Sequence, residues 1–267
     1  MRYALIILIA FTTSSVADEQ EVTAVGSHIY GPDLSKNEGC GLAKKQAKII
    51  AMEKVSGETM SSEERQTCTE QGSNSDCIYN RLMMTETEGR FISQEVINRT
   101  TKPTQLADHM KCTVTMRVSI DAGIGKPDPN FDFEPKLSQQ VFVEGDRLNF
   151  TLNTTAPMYV AIFLWKPSPK NDVLKKIFPN KFDNDHFFAN SGKVSIPKNV
   201  DQYAFQVSVD DIQSKKSFVA EHIKFIATKK KINFLSEYSH NKLQKKLMEI
   251  PRNMRRTKTR SYTISLR

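Results

Sequence analysis

The chain has 267 residues, with 38 Lys and Arg against 30 Asp and Glu, a formal charge of +8. Hydrophobic residues are 39% and charged residues 25%, an ordinary globular balance that excludes a polytopic membrane protein. With 11 Gly and 11 Pro the chain is neither collagen-like nor low-complexity, and its length allows one or two domains with their own cores.

Arg2, the apolar run Ala4 to Phe11 and the small residues Ser15-Val16-Ala17 read as a signal peptide over residues 1–17. The run is far shorter than the roughly 20 residues that cross a bilayer. A periplasmic or secreted protein with no transmembrane span in the mature chain is therefore expected. No Cys follows the run, so a lipidated terminus is not expected.

Four cysteines in an exported chain predict two disulfides. Three pairings are possible. Cys68 and Cys77 bracket a polar, turn-rich stretch, so the simplest arrangement is that local pair, with Cys40 then tied to Cys112. The cysteine spacings contain no CxxC knuckle, and no metal is expected there.

Along the chain, Val22 to Gly26 and His28 to Tyr30 predict a first strand, and Pro32 to Gly39 a loop. A helix is expected from Gly41 to about Val55, because Ala43, Ala47, Ile50 and Ala51 recur at helical spacing opposite Lys44, Lys45, Lys48 and Lys54. The Ala stripe implies close packing on a sheet. Phe91 to Asn98 reads as a strand. So does 112–120, where Cys112, Val114, Met116, Val118 and Ile120 alternate with polar residues. One helix on an antiparallel sheet makes an α+β domain over 18–122.

Residues 123–135 carry Gly123, Gly125, Pro127, Pro129 and Pro135 without periodicity and read as a linker. Beyond it strands dominate. Leu148, Phe150 and Leu152 alternate; Met158 to Trp165 is continuously apolar, as in a strand buried on both faces; Phe205 to Val209 and Ile223 to Ala227 follow. This predicts a β-sandwich over 136–234. Residues 235–267 form a basic tail. From Lys242 onward it carries nine Lys or Arg and one acid, Glu249. Leu243, Leu247 and Ile250 make the apolar stripe of a short helix ended by Pro251, and Ser261 to Leu266 alternates as a candidate closing strand.

Two resemblances accompany this reading. Through the Ala43 to Ala51 helix, the Gly89-Arg90-Phe91-Ile92 strand entry and the Lys111 to Val118 strand, the first half resembles the N-terminal domain of the bacterial flagellar assembly protein T. Through Val143 to Leu148, Tyr159 to Phe163, Ile177 to Asn180, Ser195-Ile196-Pro197 and Phe225 to Thr228, residues 136–234 resemble a bacterial domain of unknown function found in exported and signalling proteins. The second resemblance implies a β-sandwich and no activity.

Chemistry-bearing patterns are sparse. His28, His109, His186, His222 and His240 are scattered, with no HExxH spacing, and no GxSxG, Walker or GxGxxG motif is present. Asp183-Asn184-Asp185-His186 beside Asn180 is the most site-like cluster; it lacks the Gly and distal Glu of an EF-hand and reads as an Asx-type turn. Asp210-Asp211 also reads as a turn. The sequons at Asn98, Asn149 and Asn153 carry no information in a bacterial context. No cofactor and no catalytic residue is predicted. The tail cations Lys245, Lys246, Arg252, Arg255 and Arg256 are the candidate contacts for an anionic partner. With Tyr262 as its one aromatic the tail offers no base-stacking platform, so nucleic acid is not expected. The expectation is a non-enzymatic exported accessory protein that binds other cell-envelope proteins, with a secretion or flagellar-type assembly as its setting. The alternative is a binding module for an envelope polymer or anionic lipid that uses the tail.

Overall fold

The computed structural model describes residues 19–56, 89–167, 173–198, 200–209 and 218–266. The signal segment, Cys68, Cys77 and Asp210-Asp211 lie outside them. About half of the described residues lie in strands, in an α+β arrangement.

The N-terminal unit contains β1 (Glu19–Tyr30), α1 (Lys36–Ser56), β2 (Arg90–Pro103) and β3 (Met110–Asp121). The strands form an antiparallel sheet in the order β1-β3-β2. Cys112, Val114, Met116, Val118 and Ile120 face the helix and are buried with Ala43, Ala47 and Ala51. The alanines matter because the backbones approach closely: a Cβ on Gly26 of β1 would lie 2.2 Å from the Ala43 carbonyl oxygen. The helix starts at Lys36, earlier than its apolar stripe suggests. Ser35 and Glu38 form a capping box, the Ser35 N–H donating to Glu38 Oε2 (2.9 Å) and the Glu38 N–H to Ser35 Oγ (3.2 Å). Cys40, near the helix start, and Cys112, on the central strand, stand at disulfide distance, with S–S 2.01 Å.

The C-terminal unit is a sandwich with a third layer. Its large sheet runs β14 (Glu237–Ser239), β9 (Val173–Phe178), β8 (Met158–Trp165), β13 (Phe218–Thr228), β15 (Arg255–Ser265) and β5 (Val141–Val143), with β10 (Phe187–Phe188) paired to β8. The facing sheet is β11 (Gly192–Ile196), β7 (Phe150–Thr154) and β4 (Phe133–Leu137). A short ribbon joins β12 (Phe205–Gln206) to β6 (Arg147–Leu148). Phe133, Phe150, Leu152, Val160, Ile162, Phe225 and Tyr262 fill the space between the sheets. On the outer face of the large sheet, α2 (His240–Met248) lays Leu243 and Leu247 against Ala161, Phe163 and Ile226, with Ile250 following. β8 is apolar throughout because one side faces the sandwich core and the other faces this helix.

Two expected boundaries move. The segment read as a linker already belongs to the sandwich: Phe131 and Phe133 are buried in its core, and β4 pairs with β7 from Phe133. The basic tail is not an appendage. β15 begins at Arg255 and lies inside the large sheet, antiparallel to β13 over its whole length and parallel to β5.

Candidate functional site

The tail cations were the sequence's candidate contacts, and the fold uses several of them internally. Arg252 is 8% exposed and Arg255 is 4% exposed. Arg252 lies in a 3-10 turn (Arg252–Met254) after Pro251. Its Nη2 donates to the carbonyl oxygens of Val55 (3.0 Å) and Ser56 (3.3 Å), at the end of α1. Arg255 Nη1 donates to the carbonyls of Leu247 and Ile250 (the latter 2.9 Å), and its Nη2 to that of Ala122 (3.3 Å). Helix ends leave carbonyls without intrahelical partners, and these guanidiniums supply donors to two such ends. They also join the two units, a role shared by the Gln244 side chain, which donates to the Gly89 carbonyl.

Arg256, Lys258 and Arg260 face the supposed linker. Arg256 Nη2 donates to the Asp128 carbonyl (2.6 Å). Lys258 lies 3.5 Å from Asp132 and 3.8 Å from Glu134, and Arg260 bonds Glu134. Lys246 pairs with Glu249 at 2.8 Å. Only Lys245 of the five candidates is exposed, near Lys242 on α2. The anionic-partner assignment of Arg252 and Arg255 is therefore corrected: a ligand cannot reach a guanidinium that is enclosed and bonded to backbone carbonyls.

The Asp183 to His186 segment is a hydrogen-bonded turn. Asn180 Oδ1 accepts from the N–H groups of Phe182 (2.9 Å) and Asp183 (3.0 Å). Asp183 Oδ2 accepts from the Lys198 N–H (3.0 Å) and the Tyr203 hydroxyl (3.3 Å). Burial pushes that hydroxyl up to about 12.

Next to this turn the structure has a cavity of about 90 Å³, lined by Tyr159, Val160, Ala161, Lys176, Pro179, His186, Thr228, Ile232, Asn233 and Phe234. β8 and β9 supply its floor, the turn supplies one wall, and the segment after β13 supplies the other. Lys176 Nζ donates to the Phe234 carbonyl at 2.7 Å, and burial lowers its pKa. His186 Nδ1 lies 3.0 Å from the Asn184 carbonyl oxygen. A carbonyl only accepts, so Nδ1 carries the proton and Nε2 is the other ring nitrogen. Sequence reading singled out His186 but missed Lys176, because Lys175 and Lys176 adjoin and nothing local shows which of the two is the more buried.

Two buried polar groups were also unmarked in the sequence. Glu221 of β13 is fully buried, accepts the Tyr262 hydroxyl and lies 3.3 Å from Lys166 Nζ. Burial, with Glu221 beside it, holds the Tyr262 hydroxyl far above its ordinary range. On the opposite face His222 stacks on Trp165, centroids 4.9 Å apart, and its Nδ1 lies 2.8 Å from Ser261 Oγ. Burial, then the neighbouring His240, lowers its pKa to about 3.

The N-terminal sheet presents a different surface. α1 covers β1 and β3 and leaves β2 nearly bare: among its 14 residues only Phe91 and Thr101 are even half-buried. Ile92 (48% exposed), Val96 and Ile97 stand on this strand, and Ile92 and Ile97 sit at bulges, without partners in the ladder to β3. The sheet face away from α1 adds Val25 and Ile29, both exposed, around Arg117, which bridges Glu21 and Glu95.

Residues 141–231 match the family described as a domain of unknown function (DUF4384). That segment contains most of the cavity and the greater part of the sandwich. The match does not extend to the N-terminal half, where the resemblance to flagellar assembly protein T gains no support. No curated protein matches the chain.

Proposed function

We propose that this chain is an exported, non-catalytic accessory protein that binds other cell-envelope proteins through its N-terminal sheet. The observation that carries this reading is β2. Among the described residues it is a long edge strand whose outer backbone groups pair with no other strand, and it carries three exposed branched apolar residues, Ile92, Val96 and Ile97. An uncovered edge of this kind is a template for another strand, and natural proteins leave one open at a cost in aggregation. Strand addition by a partner would pair the backbone and cover the apolar side chains together. The two bulges interrupt the flat edge and limit indiscriminate pairing. A secretion or flagellar-type assembly remains the proposed setting, with a periplasmic or secreted location.

The test is site-specific photocrosslinking in native envelope fractions, with the crosslinker at Ile92 or Ile97 and a control at exposed Leu235. Discrete protein adducts from β2 positions alone are expected. Equal adducts at all three positions, none at any, or reproducible turnover of an envelope substrate would overturn the proposal.

A second reading, a module for an anionic lipid or polymer, keeps one supporting feature: Lys242 and Lys245 are both exposed on α2. Co-sedimentation with anionic vesicles, lost on replacing both lysines with Gln, is its expected signature.

A further inference from the structure

We infer that the cavity between β8, β9 and the Asn180–His186 turn is a binding site for a small carboxylate group. Three features carry this, and none depends on the envelope-protein reading.

The first is charge. Lys176 is a half-buried ammonium whose one side-chain hydrogen bond among the described residues goes to the Phe234 carbonyl. No carboxylate of the described residues lies within ion-pair distance of it; the nearby ion pair on this strand is that of its neighbour Lys175 with Glu237. An ammonium has three donors, so two remain for a group in the cavity. A partly desolvated cation attracts an anion more strongly than one in water.

The second is size. A cavity of about 150 Å³ holds benzene. At about 90 Å³ this one suits roughly four heavy atoms on the same scale, the size of acetate or the end of an acidic side chain. One lysine ammonium in the lining matches a monoanion better than a phosphate dianion.

The third is the wall chemistry. The Tyr159 ring, Ala161, Ile232 and Phe234 line the same cavity. They give an apolar surface for the carbon adjoining the acid, while Lys176 takes the oxygens. Pockets of this kind combine apolar walls with few polar groups that fix orientation.

The source of the carboxylate is either a free small acid or an acidic residue of a peptide. Backbone amide NMR of the full mature chain tests both, with titrations of sodium acetate, an N-acetylated glutamate amide, sodium phosphate and sodium chloride at matched ionic strength. Saturable shifts confined to the neighbourhoods of Tyr159, Lys176, His186 and Asn233 are expected with the carboxylates. Lys176→Met should weaken them by roughly tenfold or more, as expected on removing one partner of a charge-assisted hydrogen bond; Lys175→Met should not. Tighter binding of the glutamate amide assigns a peptide source, and tighter acetate binding a free acid. Absence of saturation with either carboxylate, shifts equal to those in chloride, or tighter binding of phosphate would overturn the inference. If Lys176→Met does not fold, the wild-type shift map still decides.

Discussion

Arg252 donates a hydrogen bond to the carbonyl oxygen of Val55 at 3.0 Å, across 197 positions of sequence. Val55 lies in the last turn of α1, where carbonyls lack intrahelical donors. A side chain that meets the end of this helix therefore comes from the other unit, and the N-terminal fold is expected to lose stability without it. Arg252→Met keeps the stem and removes the donors. It should cost about 2–4 kcal/mol. Urea unfolding is expected to split into two transitions, with the N-terminal unit melting first. A single transition at an unchanged midpoint would show that the clamp contributes nothing.

The Cys40–Cys112 pair joins residues 72 apart. In the chain-entropy description a loop of that length contributes about 4 kcal/mol by restricting the unfolded state. The double replacement by Ser should lower stability by about that amount, measured by denaturant unfolding under non-reducing conditions. Adding reductant should then destabilise the wild type and leave this pair's contribution absent from the variant.

Gly26 is the point of closest approach between β1 and α1, and the atoms a Cβ would strike are backbone: the Ala43 carbonyl oxygen at 2.2 Å and the Ala47 nitrogen at 2.3 Å. Backbone cannot rotate away as a side chain can. Gly26→Ala should therefore displace the helix and cost about 3 kcal/mol, at the upper end of ordinary overpacking. Gly41→Ala, where nothing lies within 4 Å, serves as the paired control and should be neutral or slightly stabilising.

His222 makes the fold acid-sensitive. Its folded pKa is about 3 against an ordinary 6.5, because burial and then His240 oppose its charge. Above pH 6.5 both folded and unfolded states hold it neutral, and its contribution to stability is fully present. Between 6.5 and about 3 the unfolded state takes up a proton that the folded state refuses. Stability should fall with decreasing pH through this window, by at most about 1.4 kcal/mol per pH unit from this group. His222→Gln should flatten that part of the profile, read from urea midpoints at a series of pH values. An unchanged slope would assign the acid sensitivity to other groups.

The elements themselves were largely legible in the sequence. Cys112, Val114, Met116, Val118 and Ile120 alternate because one face of β3 is covered by a helix and the other is not. The Ala43-Ala47-Ala51 stripe announced close packing, and the unbroken apolar run of β8 announced burial on both faces. The first turn of α1 was less visible, since its start is set by the Ser35 and Glu38 capping box rather than by apolar spacing. The candidate site was barely legible. Lys176, Tyr159, His186 and Phe234 come from separate segments, and no local spacing connects them.

The sequence by itself determined the alternation, the helix stripe and a tail rich in positive charge, because each depends on residues near one another along the chain. Only the tertiary structure decided what that charge does. The tail becomes a strand of the large sheet, and its cations meet Asp128, Asp132, Glu134 and the open carbonyls of α1 and α2. Those partners lie more than a hundred positions away in most cases. Net charge is additive along a sequence, whereas whether a charge is exposed or enclosed depends on which distant groups the fold brings within hydrogen-bond reach.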